Sequence, residues 1–155
     1  MPKKIIYIIS GLSVGGAEMM LSKLLQNIDR NSFDPVVISL SNFSPLGPKI
    51  KGLGIPVFVF DMRSFLLLPY VFIKLSLFIR SHKPDLVHTW LYHADLIGGL
   101  ASKLAGVSNI LWGIRHSNLS PVVNKKSTLF IVSICARLSS WLPTRILSCS
   151  HRAKL

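Results

Sequence analysis

The stretch IIYIISGLSVGGAE, residues 5–18, decides the fold class. Ile5–Ser10 is apolar up to its last residue and shows no alternation, which is typical of a parallel strand buried on both faces. A glycine-containing turn follows, and apolar residues then recur at helical spacing from Met20 to Ile28. The stretch therefore predicts the first β–α unit of a parallel sheet.

Strand-like and helix-like segments alternate along the rest of the chain. The further predicted strands are Pro35–Leu40, Ile55–Phe60, Asp85–Trp90, Asn109–Ile114 and Arg145–Ser150. The further predicted helices are residues 65–79, Ala94–Ala105 and Leu129–Leu142. Repeated βαβ units give an α/β fold with a doubly wound, mostly parallel, Rossmann-like sheet and helices on both faces. Ligands of such sheets bind at the carboxyl ends of the strands.

The length and composition indicate one packed domain. The chain has 155 residues, and half of them are hydrophobic, which excludes a disordered basic tail. Cys135 and Cys149 are too few for a disulfide framework or a zinc site. The apolar run before Ser10 is shorter than a signal-peptide core, so we expect a chain of the reducing cytoplasm. No capped helix follows the sixth predicted strand, so we expect the domain to be part of something longer.

Positive charge is concentrated in the second part of the chain. The sequence contains 18 Lys+Arg and 6 Asp+Glu, a formal net charge of +12. Residues 1–95 have a net charge of +4, whereas residues 96–155 contain eight basic residues and no acidic ones. This basic segment is a candidate surface for a phosphate, a nucleic acid or an acidic membrane. Its basic residues are dispersed and form no recognisable nucleic-acid-binding module, so we expect no nucleic-acid partner.

The segment FLLLPYVFIKLSLFI, residues 65–79, could be a membrane helix or a core helix. Pro69 and Lys74 interrupt it, and it is shorter than the ~20 apolar residues that a spanning helix needs. We expect a buried helix, and the alternative is an interfacial helix that lies on a bilayer.

Three clusters of candidate ligand-binding residues follow predicted strands. Gly15 and Gly16 precede the first helix, where free N–H groups can bind an anion or where glycine simply allows a tight turn. They match neither the dinucleotide fingerprint nor a P-loop. His88 and His93 flank the end of the fourth strand and are too few for a metal site. The third cluster, after the fifth strand, contains Arg115, His116 and Ser117. A guanidinium suits phosphate or carboxylate, and an imidazole can exchange a proton near neutral pH.

The segments Gly15-Gly16-Ala17-Glu18, PDLVHTW at 84–90 and GIRHS at 113–117 occur in this order. Together they resemble the amino-terminal domain of family 4 glycosyltransferases, over nearly the whole chain. The resemblance implies half of a GT-B enzyme, in which two Rossmann-like domains face each other across a cleft. The amino-terminal domain then holds the acceptor, a polysaccharide or a lipid-linked sugar, and the carboxyl-terminal domain binds the nucleotide-sugar. It also implies transfer with retention of anomeric configuration and without a metal or other cofactor, and the chain contains no DxD pair.

The resemblance also implies roles for individual residues. It assigns His116 as the catalytic residue, and it places Gly15 and Gly16 in the loop beside the donor diphosphate. The residues that we expect to bind acceptor or phosphate are Glu18, His88, His93, Arg115 and Ser117.

One departure from the family pattern concerns the glutamates. The family's donor site includes two acidic residues of the carboxyl-terminal domain, commonly glutamates, whereas Glu18 is the sole glutamate of this chain. We therefore expect residues 1–155 to form a single acceptor-side domain, incomplete at its carboxyl end, that does not turn over alone. The alternatives are a non-catalytic module for an anionic membrane or a nucleic acid, and half of a GT-B sugar epimerase. For the transferase we expect a cytoplasmic location, with peripheral contact to the inner face of the cytoplasmic membrane.

Overall fold

Strands and helices alternate along the part of the chain that the computed structural model describes, residues 1–43, 45–63, 67–114 and 126–148. The strands are β1 (Lys3–Ile9), β2 (Phe33–Ser39), β3 (Val57–Val59), β4 (Leu86–Trp90), β5 (Ile110–Ile114) and β6 (Arg145–Ser148). The helices are α1 (Gly16–Gln26), α2 (Leu46–Lys51), α3 (Leu68–His82), α4 (Tyr92–Leu104) and α5 (Lys126–Leu138).

The strands form one sheet in the order β3-β2-β1-β4-β5-β6, and every neighbouring pair is parallel. This order confirms the prediction of a doubly wound, Rossmann-like sheet. The chain changes direction across the sheet between β1 and β4, where Tyr7 is in register with His88 and Ile9 with Trp90. The crevice for a ligand in such a sheet lies beyond the carboxyl ends of these two strands.

Apolar side chains of β1 pack on both faces of the sheet. Ile6 and Ile8 belong to a core that α3, α4 and α5 cover. Ile5, Tyr7 and Ile9 belong to a second core that α1 and α2 cover. The central strand is therefore apolar without alternation because both of its faces are buried.

Helix α4 lies close to the sheet because it carries a glycine at the contact. A Cβ atom on Gly98 would lie 3.1 Å from Cδ1 of Ile8 and 3.2 Å from Cγ2 of Thr89. A larger residue at this position would push the helix outward, and α4 carries part of the candidate site at its amino end.

The structure corrects several predicted boundaries. Helix α2 was not predicted, since it has only six residues and includes Gly47 and Pro48, which are poor helix formers. Helix α5 ends at Leu138 rather than at Leu142. The end of the predicted strand Arg145–Ser150 lies outside the described residues.

Residues 68–79 of the apolar segment lie in helix α3, but this helix is not fully buried as we expected. Leu75, Ser76 and Ile79 of α3 are buried, whereas the opposite face is exposed. No helix in the described ranges is long and apolar enough to cross a membrane.

Candidate functional site

The connection between β1 and α1 is fixed by residues that follow β2. The N–H group of Leu12 donates to Oδ1 of Asn42 at 2.8 Å, and Oγ of Ser41 donates to the carbonyl oxygen of Ser10 at 2.7 Å. The N–H group of Leu46 donates to the carbonyl oxygen of Leu12 at 3.0 Å. Two strand ends are thus held together, and the segment that leads to the glycine pair has a defined position.

The amino end of α1 carries the two glycines. Gly15 is the N-cap, with extended backbone (φ −152°, ψ 171°), and α1 begins at Gly16. A Cβ atom on Gly15 would collide with the Glu18 carboxylate, whereas a Cβ atom on Gly16 would meet nothing within 4 Å. Neither residue has a positive φ. The backbone therefore does not require glycine at position 16, and the space beside it is open.

The Glu18 carboxylate lies at the positive end of the α1 dipole, which favours it electrostatically. A carboxylate accepts hydrogen bonds from hydroxyl groups and has no donor to offer to a phosphate group. Glu18 is therefore better suited to sugar hydroxyl groups than to a phosphate group.

A cavity of about 330 Å³ opens at the same edge of the sheet. It is lined by Ser10, Leu40, Ser41, Met62, Arg63, His93 and Ile97. Within the described ranges, the buried Oγ of Ser10 has no hydrogen-bond partner. A buried hydroxyl group of this kind is normally satisfied, so a ligand hydroxyl in the cavity would complete its hydrogen bonding.

Arg63 supplies the positive charge of the cavity wall. Its Nε donates to Oδ1 of Asp61 at 2.8 Å, and its Nη2 pairs with the other carboxylate oxygen. The hydrogen bonds from Arg63 lower the pKa of Asp61 to about 2, so this carboxylate stays ionised at neutral pH. The pair is exposed to solvent, and its charge is partly screened.

His93 enters the cavity from the first turn of α4. The preceding Leu91 has a positive φ of 75°, a conformation that is strained for a leucine and sharply turns the chain from β4 into the helix. Burial lowers the pKa of His93, so its imidazole is neutral near pH 7 and can accept a proton.

His88 does not line this cavity. It is 6% exposed and sits within β4, with its ring centroid 5.6 Å from that of Tyr7 and 5.1 Å from that of Trp90. The structure therefore places His88 in the core beneath the sheet edge and not on the cavity wall.

The wall behind the site contains a buried polar pair. Oγ1 of Thr89 donates to Oδ1 of Asp95 at 2.5 Å, and both residues are buried. Burial and, to a smaller extent, the negative charge of Asp95 raise the pKa of the Cys135 thiol to about 12. This thiol is therefore protonated and chemically inert at neutral pH.

Arg115, His116 and Ser117 lie outside the described residues. Their strand, β5, ends at Ile114 on the edge where β1 and β4 also end. Ser10 and Arg63 were not predicted as site residues, although Ser10 directly follows β1 and Arg63 lies four residues after the end of β3. Among residues 1–43, 45–63, 67–114 and 126–148, no three His, Cys, Asp or Glu side chains form a group that could hold a metal ion.

The comparison with protein families agrees with this geometry. The profile described as Glycosyltransferase Family 4 matches residues 14–154, which is most of the chain. The chain belongs to glycosyltransferase family 4. No curated protein matches it in sequence.

Solved structures show the fold of this family 4 chain in larger proteins. HepE of Anabaena, crystallised with UDP-glucose, has a TM-score of 0.73 at 19% identity, over 97% of this chain and 38% of HepE. MurG of Acinetobacter baumannii has a TM-score of 0.64 at 15% identity, over 95% of this chain and 41% of MurG. The lipopolysaccharide outer core galactosyltransferase WaaB has a TM-score of 0.50 at 20% identity, over 70% and 32%. Together with the family match, this shared fold confirms the predicted Rossmann-like, amino-terminal domain of a family 4 glycosyltransferase, and the chain spans well under half of each neighbour.

Proposed function

We propose that this family 4 chain is the acceptor-side domain of a retaining, metal-independent glycosyltransferase. The transferase moves a sugar from a nucleotide-sugar to a polysaccharide or lipid-linked acceptor. The observation that carries the proposal is the edge of the sheet beyond β1 and β4, which holds both Gly16, with open space beside it, and the cavity with the unsatisfied Ser10 hydroxyl.

The start of α1 contributes to stabilisation of the leaving group. Departure of a nucleoside diphosphate increases negative charge on its phosphate oxygens, and preorganised N–H donors lower the barrier for that step. The N–H groups of Gly15 and Gly16 lie at the positive end of a helix, and the open space at Gly16 admits a diphosphate to the backbone. HepE was crystallised with UDP-glucose, which supports a nucleotide-sugar as the donor here.

The cavity binds the acceptor. Ser10 and neutral His93 offer hydrogen bonds to hydroxyl groups, and Arg63 offers positive charge to an acidic sugar or to a phosphate of a lipid-linked acceptor. Glu18 accepts hydrogen bonds from hydroxyl groups at the other side of the crevice.

The residues after β5 and within β4 complete the proposal. His116 is the proposed catalytic residue beside the reacting sugar, and Arg115 and Ser117 bind acceptor or phosphate. His88, which is buried behind this edge, is retained as a proposed contributor to binding through its neighbours Tyr7 and Trp90.

The nucleotide-sugar is bound by a second domain, and we propose that residues 1–155 do not turn over alone. Glu18 is the only glutamate, so the chain lacks the acidic pair of the family's donor site. We further propose a cytoplasmic protein that contacts the inner face of the membrane, with no cofactor and no nucleic-acid partner.

The anion site at the start of α1 can be tested with inorganic pyrophosphate, which mimics the donor diphosphate. In an amide NMR titration of the chain, we expect shifts that saturate at millimolar pyrophosphate at Gly15, Gly16 and Ala17. Sodium chloride of equal ionic strength is the control. Shifts spread over surface lysines, or the same shifts with chloride, would contradict the donor-side role.

A further inference from the structure

The side chain of Glu18 folds back over the N-cap of α1. A Cβ atom on Gly15 would collide with Oε2 of Glu18 and would lie 3.1 Å from Cδ and 3.4 Å from Oε1 of the same side chain. Gly15 has extended backbone, which any residue can adopt, and a Cβ atom on Gly16 would meet nothing within 4 Å. Of the two glycines, only Gly15 is needed for space, and the group that takes up this space is the Glu18 carboxylate.

This carboxylate has no cation as its partner. Glu18 is the only glutamate of a chain with 18 lysines and arginines. The ion pairs among the described residues are nevertheless Lys3–Asp85 and Arg63–Asp61, and the Glu18 side chain forms no hydrogen bond within that part of the chain. What favours the carboxylate beside Gly15 is the positive end of the α1 dipole, which comes from the N–H groups that start the helix.

The same helix end is the proposed site of the donor diphosphate. A diphosphate that accepts hydrogen bonds from the N–H groups of Gly15 and Gly16 brings its oxygen atoms next to the Glu18 carboxylate, and anions at this separation repel each other. We propose that Glu18 is a specificity-determining residue, whose carboxylate competes with phosphate groups for the start of α1. The carboxylate must turn away from Gly15 before a diphosphate binds. This inference rests on the proposed function for that diphosphate.

A competing carboxylate selects against free anions. The net charge of +12 attracts any phosphate to the protein. Inorganic phosphate and pyrophosphate have only the helix end to bind and must displace Glu18 to reach it, whereas a nucleotide-sugar is also held by the proposed second domain. Once displaced, the carboxylate is free to accept a hydrogen bond from a sugar hydroxyl group, which is the role proposed for Glu18 in acceptor binding.

The position of the carboxylate can be measured without a ligand. One of the two Hα atoms of Gly15 points in the direction that a Cβ atom would take, towards the Glu18 side chain. This atom should show a nuclear Overhauser effect to the γ protons of Glu18 in the free chain, and saturating pyrophosphate should abolish it. Absence of this signal from the free chain, or its persistence in the complex, would overturn the proposal.

Two variants of Glu18 measure the competition. Glu18→Gln and Glu18→Ala both remove the negative charge, so each should bind pyrophosphate about tenfold more tightly than the wild type at low salt. In 1 M sodium chloride the gain should shrink to about twofold, because salt screens the charge. A gain by Glu18→Gln alone would come from its new amide donor and would overturn the proposal, as would equal affinities for all three proteins. Circular dichroism checks that each variant is folded.

Asp34→Asn is the matched control, because Asp34 is another carboxylate without an ion pair among the described residues. Asp34 is in register with Lys4, five residues before the end of β1 at Ile9, which places it about 17 Å of strand away from the turn into α1. Its pyrophosphate affinity should equal that of the wild type. Equally tight binding by Asp34→Asn and the Glu18 variants would reflect net charge alone and would overturn the competition.

The two proposals fail in different ways. Wild-type shifts at Gly15 and Gly16, with unchanged affinity in both Glu18 variants, would retain the diphosphate site and remove the competition. Pyrophosphate binding by neither the wild type nor the Glu18 variants would contradict the diphosphate site itself, and the competition with it. Binding by the Glu18 variants alone would support both proposals.

Discussion

Replacement of Gly16 by alanine should stabilise the domain and impair transfer at the same time. Gly16 has helical backbone, and its added methyl group would meet nothing within 4 Å. Alanine at such a site restricts the unfolded chain and stabilises by about 0.4–1 kcal/mol. For a domain of this size, the melting temperature should rise by about 1–4 °C.

The same methyl group fills the space through which we propose that the diphosphate reaches the helix end. Loss of one preorganised N–H donor typically lowers kcat by about 10²-fold, and we expect a loss of that order for Gly16→Ala. The assays are thermal unfolding of the chain, pyrophosphate binding, and sugar transfer by the full-length protein that contains this domain.

Gly98→Ala is the matched control for that experiment. Its Cβ atom would lie 3.1 Å from two atoms of Ile8, so this variant should be destabilised by about 1–3 kcal/mol. Because Gly98 lies in the core contact of α4, transfer should persist at temperatures where the variant is folded. If Gly16→Ala keeps full transfer, the glycine pair does not approach the donor, and the start of α1 is not the diphosphate site.

Further predictions concern the polar groups near the site. Thr89→Val removes the hydroxyl group that donates a 2.5 Å hydrogen bond to Asp95. The free energy of unfolding, measured with urea, should fall by about 1–3 kcal/mol. An unchanged midpoint would show that this hydrogen bond contributes nothing to stability. Burial lowers the pKa of His93 in the folded protein below its unfolded-state pKa of about 6.5. The stability linked to the neutral imidazole is therefore present above about pH 6.5, and it is lost as the pH falls through the pKa of the folded state. His93→Gln should therefore flatten the decrease in melting temperature between pH 7 and pH 5, and identical pH profiles would contradict this. Burial raises the pKa of Cys135 to about 12, so at pH 8 a fraction of roughly 10⁻⁴ of this thiol is ionised in the native protein. Peptide mapping should therefore find Cys135 unmodified by a thiol reagent until the protein is unfolded.

The sheet could be predicted from the sequence because its strands carry a strong local signal. The unalternating apolar run at Ile5–Ser10 indicates burial on both faces, and the structure confirms this. Helix α2 has no comparable signal, because Gly47 and Pro48 suppress helical propensity and tertiary contacts of Leu46 and Ile50 determine the helix instead.

The candidate site was only partly predictable from the sequence because most of it is formed by tertiary structure. The glycine pair is a local motif, but the cavity forms where the ends of β1, β2, β3 and the start of α4 meet, so Ser10 and Arg63 gain their roles from tertiary structure. The two histidines near β4 differ for the same reason, since His93 reaches the cavity and His88 points into the core. Periodicity likewise revealed that α3 is apolar but not that Tyr70 faces solvent.

The anomeric outcome of the transfer is the most direct test of the proposed retaining transferase. The full-length protein is incubated with a panel of nucleotide-sugars and acceptors in the presence of EDTA, and the coupling constant of the new linkage is measured by proton NMR. We predict a product with the anomeric configuration of the donor, formed at an undiminished rate in EDTA. A product of inverted configuration, or activity that EDTA abolishes, would contradict a retaining and metal-independent transferase.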